Sequence, residues 1–212
     1  KQTNISTNTS FRFFWHTLKA IKKIPHAFNF LITYYLFSDA LLTFQLFITL
    51  YLEKVGKLDD STKTLVIMIG LLSAIFGSLL SNKINQLFKH PKNTISFFIL
   101  LWAIFIAILA LVTNKYSFML LTFLNGISFG LLYSLSRVYF SNLIPDHKQT
   151  EFFALYSIFE RLASILGPLI WSLTIILFAS FGEIIKYRFA MLSLAIIVLI
   201  SFFVLYFVKE SK

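Results

Sequence analysis

Asp39, Glu160 and Arg161 are the residues with the largest chemical consequence in this sequence, because each stands inside a long apolar run. Asp39 is set in NFLITYYLFSDALLTFQLF, and Glu160 and Arg161 are adjacent in EFFALYSIFERLASILGPLIW. A lone charge at mid-membrane costs from about 2.5 to over 10 kcal/mol, depending on how it is measured, so such groups face a bundle interior and pair. Two readings follow: a buried ion pair that only fastens helices, or a polar centre lining a solute pathway. Glu160 and Arg161 project about 100° apart on a helix, and adjacent residues do not face each other. Each must therefore find its partner elsewhere. Pro168 adds a second signal, since its missing N–H leaves the Ser164 carbonyl without its usual partner. Within a membrane that break is tolerated where neighbouring helices or cavity water satisfy the backbone.

Weaker polar positions surround these three. Tyr35, Asp39 and Thr43 form one row, and Tyr34, Ser38 and Gln45 form an adjacent one. Gly70, Ser73, Gly77 and Ser81 share a face, as do Gly126 and Gly130, with Asn125, Tyr133, Ser136 and Arg137 nearby. Small-residue rows are either close-packing surfaces between helices or backbone exposed to a solute. Arg137 is either a snorkelling anchor or part of the charge network, and Tyr35 either a filler or a pathway group. Gly77, Gly126, Gly130, Gly167 and Pro168 are the candidate packing or hinge positions. His16, His26, His90 and His147 fall outside the apolar runs, and there is no Gly-rich phosphate loop and no His-Glu-x-x-His. These absences imply no catalytic residue, no metal and no cofactor, and they point away from an ATP-driven pump or membrane protease.

The elements that must position these residues are membrane spans. The chain is 58% hydrophobic and 13% charged, with mean hydropathy +0.79, whereas soluble domains carry about 25% charged residues. About 20 apolar residues cross roughly 30 Å of hydrocarbon. Six runs meet that length: 28–52, 62–82, 94–113, 117–140, 152–179 and 187–208. The fold class is an all-α membrane protein, and membrane lipids are partners by necessity. Before the first span, Phe11, Phe14, Trp15, Leu18 and Ile21 oppose Arg12, Lys19, Lys22 and Lys23, the pattern of an amphipathic helix on the membrane surface. The division is a linker over 1–27, a six-helix domain over 28–208 and a tail over 209–212. Basic residues crowd the segments on the side of the N-terminus, including Lys19, Lys22, Lys23, Lys83, Lys89, Lys92 and Lys148. Both termini are therefore expected to be cytoplasmic, in a plasma membrane of bacterial type. The formal net charge of +10 is explained by that bias, with no nucleic-acid partner implied. The third and sixth spans are almost featureless, while the others carry the polar groups. Two three-helix units, each with a lipid-facing third helix, produce that pattern, and internal repeats of this kind are typical of secondary transporters.

GISFGLLYSLSRVYFSNLIPDHKQTEFFALYSIFERLASILGPLIW, together with NFLITYYLFSDALLTFQLF and the closing YRFAMLSLAIIVLISFFVLYFVKE, resembles the C-terminal half of major facilitator superfamily transporters. The branch it resembles is the vacuole-effluxer type, whose fungal members export amino acids from vacuoles. The resemblance covers roughly residues 11–208. Two departures stand out: Ala40 where the family has glycine after the acid, and Gly77-Ser78-Leu79-Leu80-Ser81-Asn82-Lys83 where the superfamily's loop signature carries an acid. The resemblance implies a secondary-transporter half moving a small solute, with amino acids as the candidate class, by alternating access, with a second six-helix half as partner. It also makes the first and fifth spans neighbours, so that Arg161 is expected to reach Asp39, while Glu160 points into the Ser157, Ser164 and Gly167 groove. The missing acid after Gly77 keeps a rival open, a non-transporting membrane scaffold or assembly factor built on a degenerate transporter half.

Overall fold

The computed structural model describes Trp15 and residues 17–88 and 90–208. Within them the chain is helical, with seven long helices: α1 (Pro25–Lys54), α2 (Asp60–Phe88), α3 (Pro91–Leu111), α4 (Lys115–Leu143), α5 (Gln149–Leu162), α6 (Leu166–Leu177) and α7 (Glu183–Tyr206). Pro25 and Pro91 are the first residues of α1 and α3, where a missing N–H costs nothing. Asn114 starts α4, its side chain accepting from the Tyr116 amide. A 3₁₀ turn over Asp146–Lys148 leads into α5. Taken with α5 and α6 as one crossing, six segments are long and apolar enough to span a membrane. All six expected spans are present, and α2 runs six residues beyond its expected end, so the stretch from Gly77 to Lys83 is helix rather than loop. Of the expected surface helix, residues 17–22 are helical and seated on the bundle through buried Thr17 and Ile21; Phe11, Arg12 and Phe14 lie outside the described residues, as do 209–212.

The packing displays the repeat. The most extensive contact is α2 against α4, and its counterpart is α1 against α5 and α6. Likewise α1 packs on α7 as α4 packs on α3, and α3 packs on α7. Exchanging α1, α2 and α3 for α4, α5/α6 and α7 leaves this pattern unchanged, as two three-helix units related by a pseudo-twofold axis require.

The α2–α4 seam is built from the small residues. A Cβ at Gly77 would overlap the Ile127 carbonyl, one at Gly130 the Ala74 carbonyl, and one at Gly126 the Ser73 hydroxyl. Ser81 and Ser134 share a hydrogen bond of 2.9 Å across the same seam. Gly77, Gly126 and Gly130 are thus close-packing residues, which lets two backbones touch where lipid offers no hydrophobic drive for association.

The featureless helices are less peripheral than their sequences imply. Ile95, Ile99, Trp102 and Ile106 of α3 are buried, as are Ala190, Met191, Leu194 and Val198 of α7, and only their outer faces are exposed. The barest crossings are α2 and the α5/α6 pair, with 22% and 17% of their apolar windows buried, against 61% for α1. Apolarity alone cannot separate a lipid-facing helix from one packed on helices, because lipid tails and leucine side chains are equally apolar.

Candidate functional site

The fifth crossing is broken. α5 ends at Leu162 and α6 begins at Leu166, with Ala163, Ser164 and Ile165 between them. Ser164 turns its hydroxyl back to the Arg161 carbonyl at 3.1 Å. A helix start leaves four amides without intrahelical acceptors. Here Pro168 occupies the fourth position and has none, so three remain, those of Ile165, Leu166 and Gly167. Asp39 on α1 faces these three. Its carboxylate is buried at 1% exposure, neither oxygen closes a complete hydrogen bond, and a Cβ on Gly167 would come within 2.8 Å of Oδ2. Thr43, one turn on, donates to the Asp39 carbonyl at 2.7 Å. The positive end of a half-helix therefore stands where a cation was expected.

Arg161 does not reach Asp39. It is exposed, and no ion pair joins it to a described carboxylate. Its neighbour Glu160 pairs instead with Arg137 of α4, Nη2 to Oε1 at 3.6 Å. The Ser157, Ser164 and Gly167 groove does not form either: Ser157 and Ser164 are exposed while Gly167 is buried against α1. The physical reason is the break. Helical spacing of 3.6 residues per turn relates side chains only while the helix is continuous, so residues before 163 and after 165 share no common face.

An aromatic cluster joins α1, α4 and α5 near the ion pair. Tyr34 of α1 stacks on Tyr156 of α5 with ring centroids 4.0 Å apart and meets Tyr133 of α4 edge-on at 6.2 Å. Tyr35 meets Phe159 edge-on at 6.1 Å. The hydroxyls of Tyr34, Tyr133, Tyr156, Ser38 and Ser136 are buried without a completed hydrogen bond. Toward the other end of α4, a cavity of about 220 Å³ is walled by α1, α2 and α4, with Trp102 of α3 also lining it. Gln45, Thr122 and Asn125 contribute its polar groups, and neither amide atom of Asn125 has a partner. Between Asn125 and Arg137, α4 thus carries three buried polar groups, those of Asn125, Tyr133 and Ser136, whose hydrogen bonds the described residues do not complete. Buried polar groups are normally satisfied, so these three are exceptions that call for a physical explanation.

The whole described chain agrees with one family. Residues 2–212 match the model of the Atg22-like vacuole effluxers. The chain belongs to that family. An uncharacterised MFS-type transporter of Bacillus subtilis is 30% identical over 211 residues, covering 100% of this chain and 47% of the relative. Autophagy-related protein 22 of Vanderwaltozyma polyspora is 27% identical over 208 residues, covering 93% of this chain and 39% of its own length. The inward-open xylose transporter of Escherichia coli superposes with a TM-score of 0.63 at 18% identity, over 94% of this chain and 48% of its own. This effluxer-family chain thus has a major facilitator fold and spans about half the length of the transporters it matches, or less.

In this effluxer-family chain the structure brings most of the candidate residues onto three packed helices, without the expected Arg161–Asp39 pairing. Tyr35, Asp39, Asn125, Tyr133, Arg137 and Glu160 lie along α1, α4 and α5 as described, while Gln45 sits at the cavity rim and Arg161 points away. Tyr156 was missed as a site residue. It stands one turn before Glu160, and that four-residue spacing on an otherwise apolar helix is the signal that could have found it.

Proposed function

We propose that this chain is one half of a secondary transporter that moves a small solute, most simply an amino acid, by alternating access against a second six-helix unit. The observation that carries the reading is the strip on α1, α4 and α5: buried hydroxyl, amide and carboxylate groups left without partners beside an open cavity. A packed scaffold gains nothing from such groups, because each costs free energy until it is hydrogen-bonded. A solute, water or the facing half would complete them. The Arg137–Glu160 pair supports an amino acid. At 3.6 Å, with 61% of the arginine and 27% of the glutamate side chain exposed, it is open enough for a zwitterion to enter, its carboxylate on the guanidinium and its ammonium on Glu160. The bare apolar faces of α2 and α6, including Leu71, Ile75 and Leu79 or Leu169, Leu173 and Ile176, support a facing half.

The test is saturable solute uptake by the full-length protein in proteoliposomes. Uptake of amino acids should saturate in the wild type and fall at least about tenfold in Glu160→Gln and in Asn125→Leu, with folded yield preserved. A fully folded protein that binds and moves no solute across a broad panel would leave the scaffold reading in possession, which the missing acid after Gly77 favours.

A further inference from the structure

We propose that a hollow between the segment preceding α1 and the turn preceding α5 binds the phosphate headgroup of an anionic phospholipid. The hollow has a volume of about 460 Å³ and is lined by Lys19, Ala20, Lys23, Ile24, Pro145, His147 and Lys148. Its basic groups come from two segments more than a hundred residues apart. Thr17 fixes the first segment to α5, donating to Glu151 at 2.8 Å, and Ile21 is wholly buried in the bundle core. The convergence is thus a consequence of packing rather than of a flexible basic tail.

Three observations point to an anion held at a membrane boundary. Among the described residues, no ion pair joins Lys19, Lys23 or Lys148 to a carboxylate. Of the acids in these segments, Glu151 accepts from the Thr17 hydroxyl and Asp146 from the Gln149 side-chain amide at 3.1 Å, and neither forms an ion pair with these lysines. The residues that precede the segment, 1–14, contain no Asp or Glu, so the adjoining chain supplies no anion. Finally, the hollow sits where α1 begins at Pro25 and α4 ends at Leu143, the level at which apolar spans give way to headgroups. Trp15, four residues before Lys19, is exposed, and tryptophan favours that level. Each lysine near a membrane surface adds to the attraction for anionic lipid, and apolar Ala20, Ile24 and Pro145 in the same wall suit the glycerol and upper acyl chain. The shared chemistry is a phosphate, and the apolar wall commits the site to the lipid.

The experiment uses the full-length protein in nanodiscs and dioleoylphosphatidylglycerol as the probe, with retention measured by native mass spectrometry and stabilisation by thermal unfolding. The wild type should retain this lipid over dioleoylphosphatidylcholine. The triple variant Lys19→Gln, Lys23→Gln and Lys148→Gln should retain it roughly tenfold less or weaker still, and the corresponding Lys→Arg triple should keep it. A control triple, Lys57→Gln, Lys115→Gln and Lys186→Gln, removes equal charge at the other ends of the helices and should leave retention unchanged. Equal loss in the control triple would reduce the effect to general surface charge and overturn the site. So would equal retention of both lipids by the wild type, or unchanged retention in the Lys→Gln triple. If inorganic phosphate alone reproduced the stabilisation at the same saturation, the occupant would be a free anion and the lipid assignment would fail.

Discussion

Asp39 and Gly167 meet where the first crossing touches the broken fifth, the carboxylate lying against the amides that open α6 and forming no ion pair with a described cation. An oriented half-helix thereby does for a buried carboxylate what an arginine was expected to do. This relationship decides what substitution at either residue, or at Arg161, should do.

Asp39→Ala removes the buried carboxylate that faces the amides opening α6, and leaving a buried donor unsatisfied costs about 1–3 kcal/mol. Asp39→Asn keeps an acceptor oxygen and should lose less. Arg161→Ala should stay within about 0.5 kcal/mol, as exposed substitutions do. The Asp39→Ala, Arg161→Ala double variant should equal the sum of its parts to within about 0.5 kcal/mol. Denaturation of the full-length protein in detergent measures all four. A coupling well beyond that figure would mean that the two side chains pair after all.

Glycine positions separate crowding from backbone strain. Gly167→Ala must push into Thr43 and Asp39, and overpacking of that kind typically costs about 1–3 kcal/mol. Gly130→Leu should cost at least as much, because the obstructing atoms are the Ala74 backbone and not a flexible side chain. Gly182 has nothing within 4 Å of a built Cβ but a φ of 96°. Gly182→Ala should therefore destabilise only through backbone strain, on the order of 1 kcal/mol or somewhat more. Thermal unfolding of the three variants should show the two crowded positions losing cooperativity of packing, and Gly182→Ala a simple shift of midpoint.

The spans and the small-residue seam were legible because both depend on local composition. A run of apolar residues can be read one helix at a time, and so can Gly126-x-x-x-Gly130. Asp39, Glu160 and Arg137 could be recognised as members of a polar strip because charges are rare in apolar runs. Their partners could not, because pairing depends on the register across a break. Pro168 marked that break in advance, but not that α5 would end six residues before it. The buried faces of α3 and α7 were hidden for a different reason: their residues are apolar on every side, so no periodicity marks the face that packs.

The Arg137–Glu160 pair should matter more to transport than to folding. With both side chains partly exposed, its stabilising contribution is expected at about 0–1 kcal/mol. Arg137→Gln and Glu160→Gln should each preserve folded yield yet lower solute uptake at least about tenfold. The double variant should transport no worse than the poorer single. Loss of folded protein in either single variant, in parallel with uptake, would assign the pair a structural role instead.

Orientation can be read with single cysteines, since the chain has none of its own. Lys57 lies in the connection between α1 and α2, and His147 in the turn between α4 and α5, at opposite ends of the bundle. With both termini cytoplasmic, an impermeant thiol reagent applied to intact cells should label Lys57→Cys and spare His147→Cys. The reverse pattern would invert the protein in the membrane.

The start of α2 should be acid-labile, through Asp59. This residue precedes the helix and accepts from the Ser61 hydroxyl, from the Thr62 hydroxyl at 2.7 Å and from the Thr62 amide at 3.1 Å. These hydrogen bonds, that of Ser61 foremost, favour the ionised form and hold its carboxyl well below the usual carboxylate range. The sign follows directly. A group whose pKa is lower folded than unfolded stabilises the folded state above its unfolded value, near 3.9, and loses that contribution as the pH falls through the interval below it. Asp59 is fully exposed, so the effect is local fraying of the first turn rather than loss of the fold. Hydrogen exchange, corrected for intrinsic rates, should show protection of the amides near residues 62–64 declining as the pH drops below about 4. Asp59→Asn keeps a side-chain oxygen that can cap the helix without a titrating proton. In that variant the protection should be weaker at neutral pH and flat across the same interval. A wild-type profile equally flat would show that the Asp59 carboxylate contributes nothing to the start of α2.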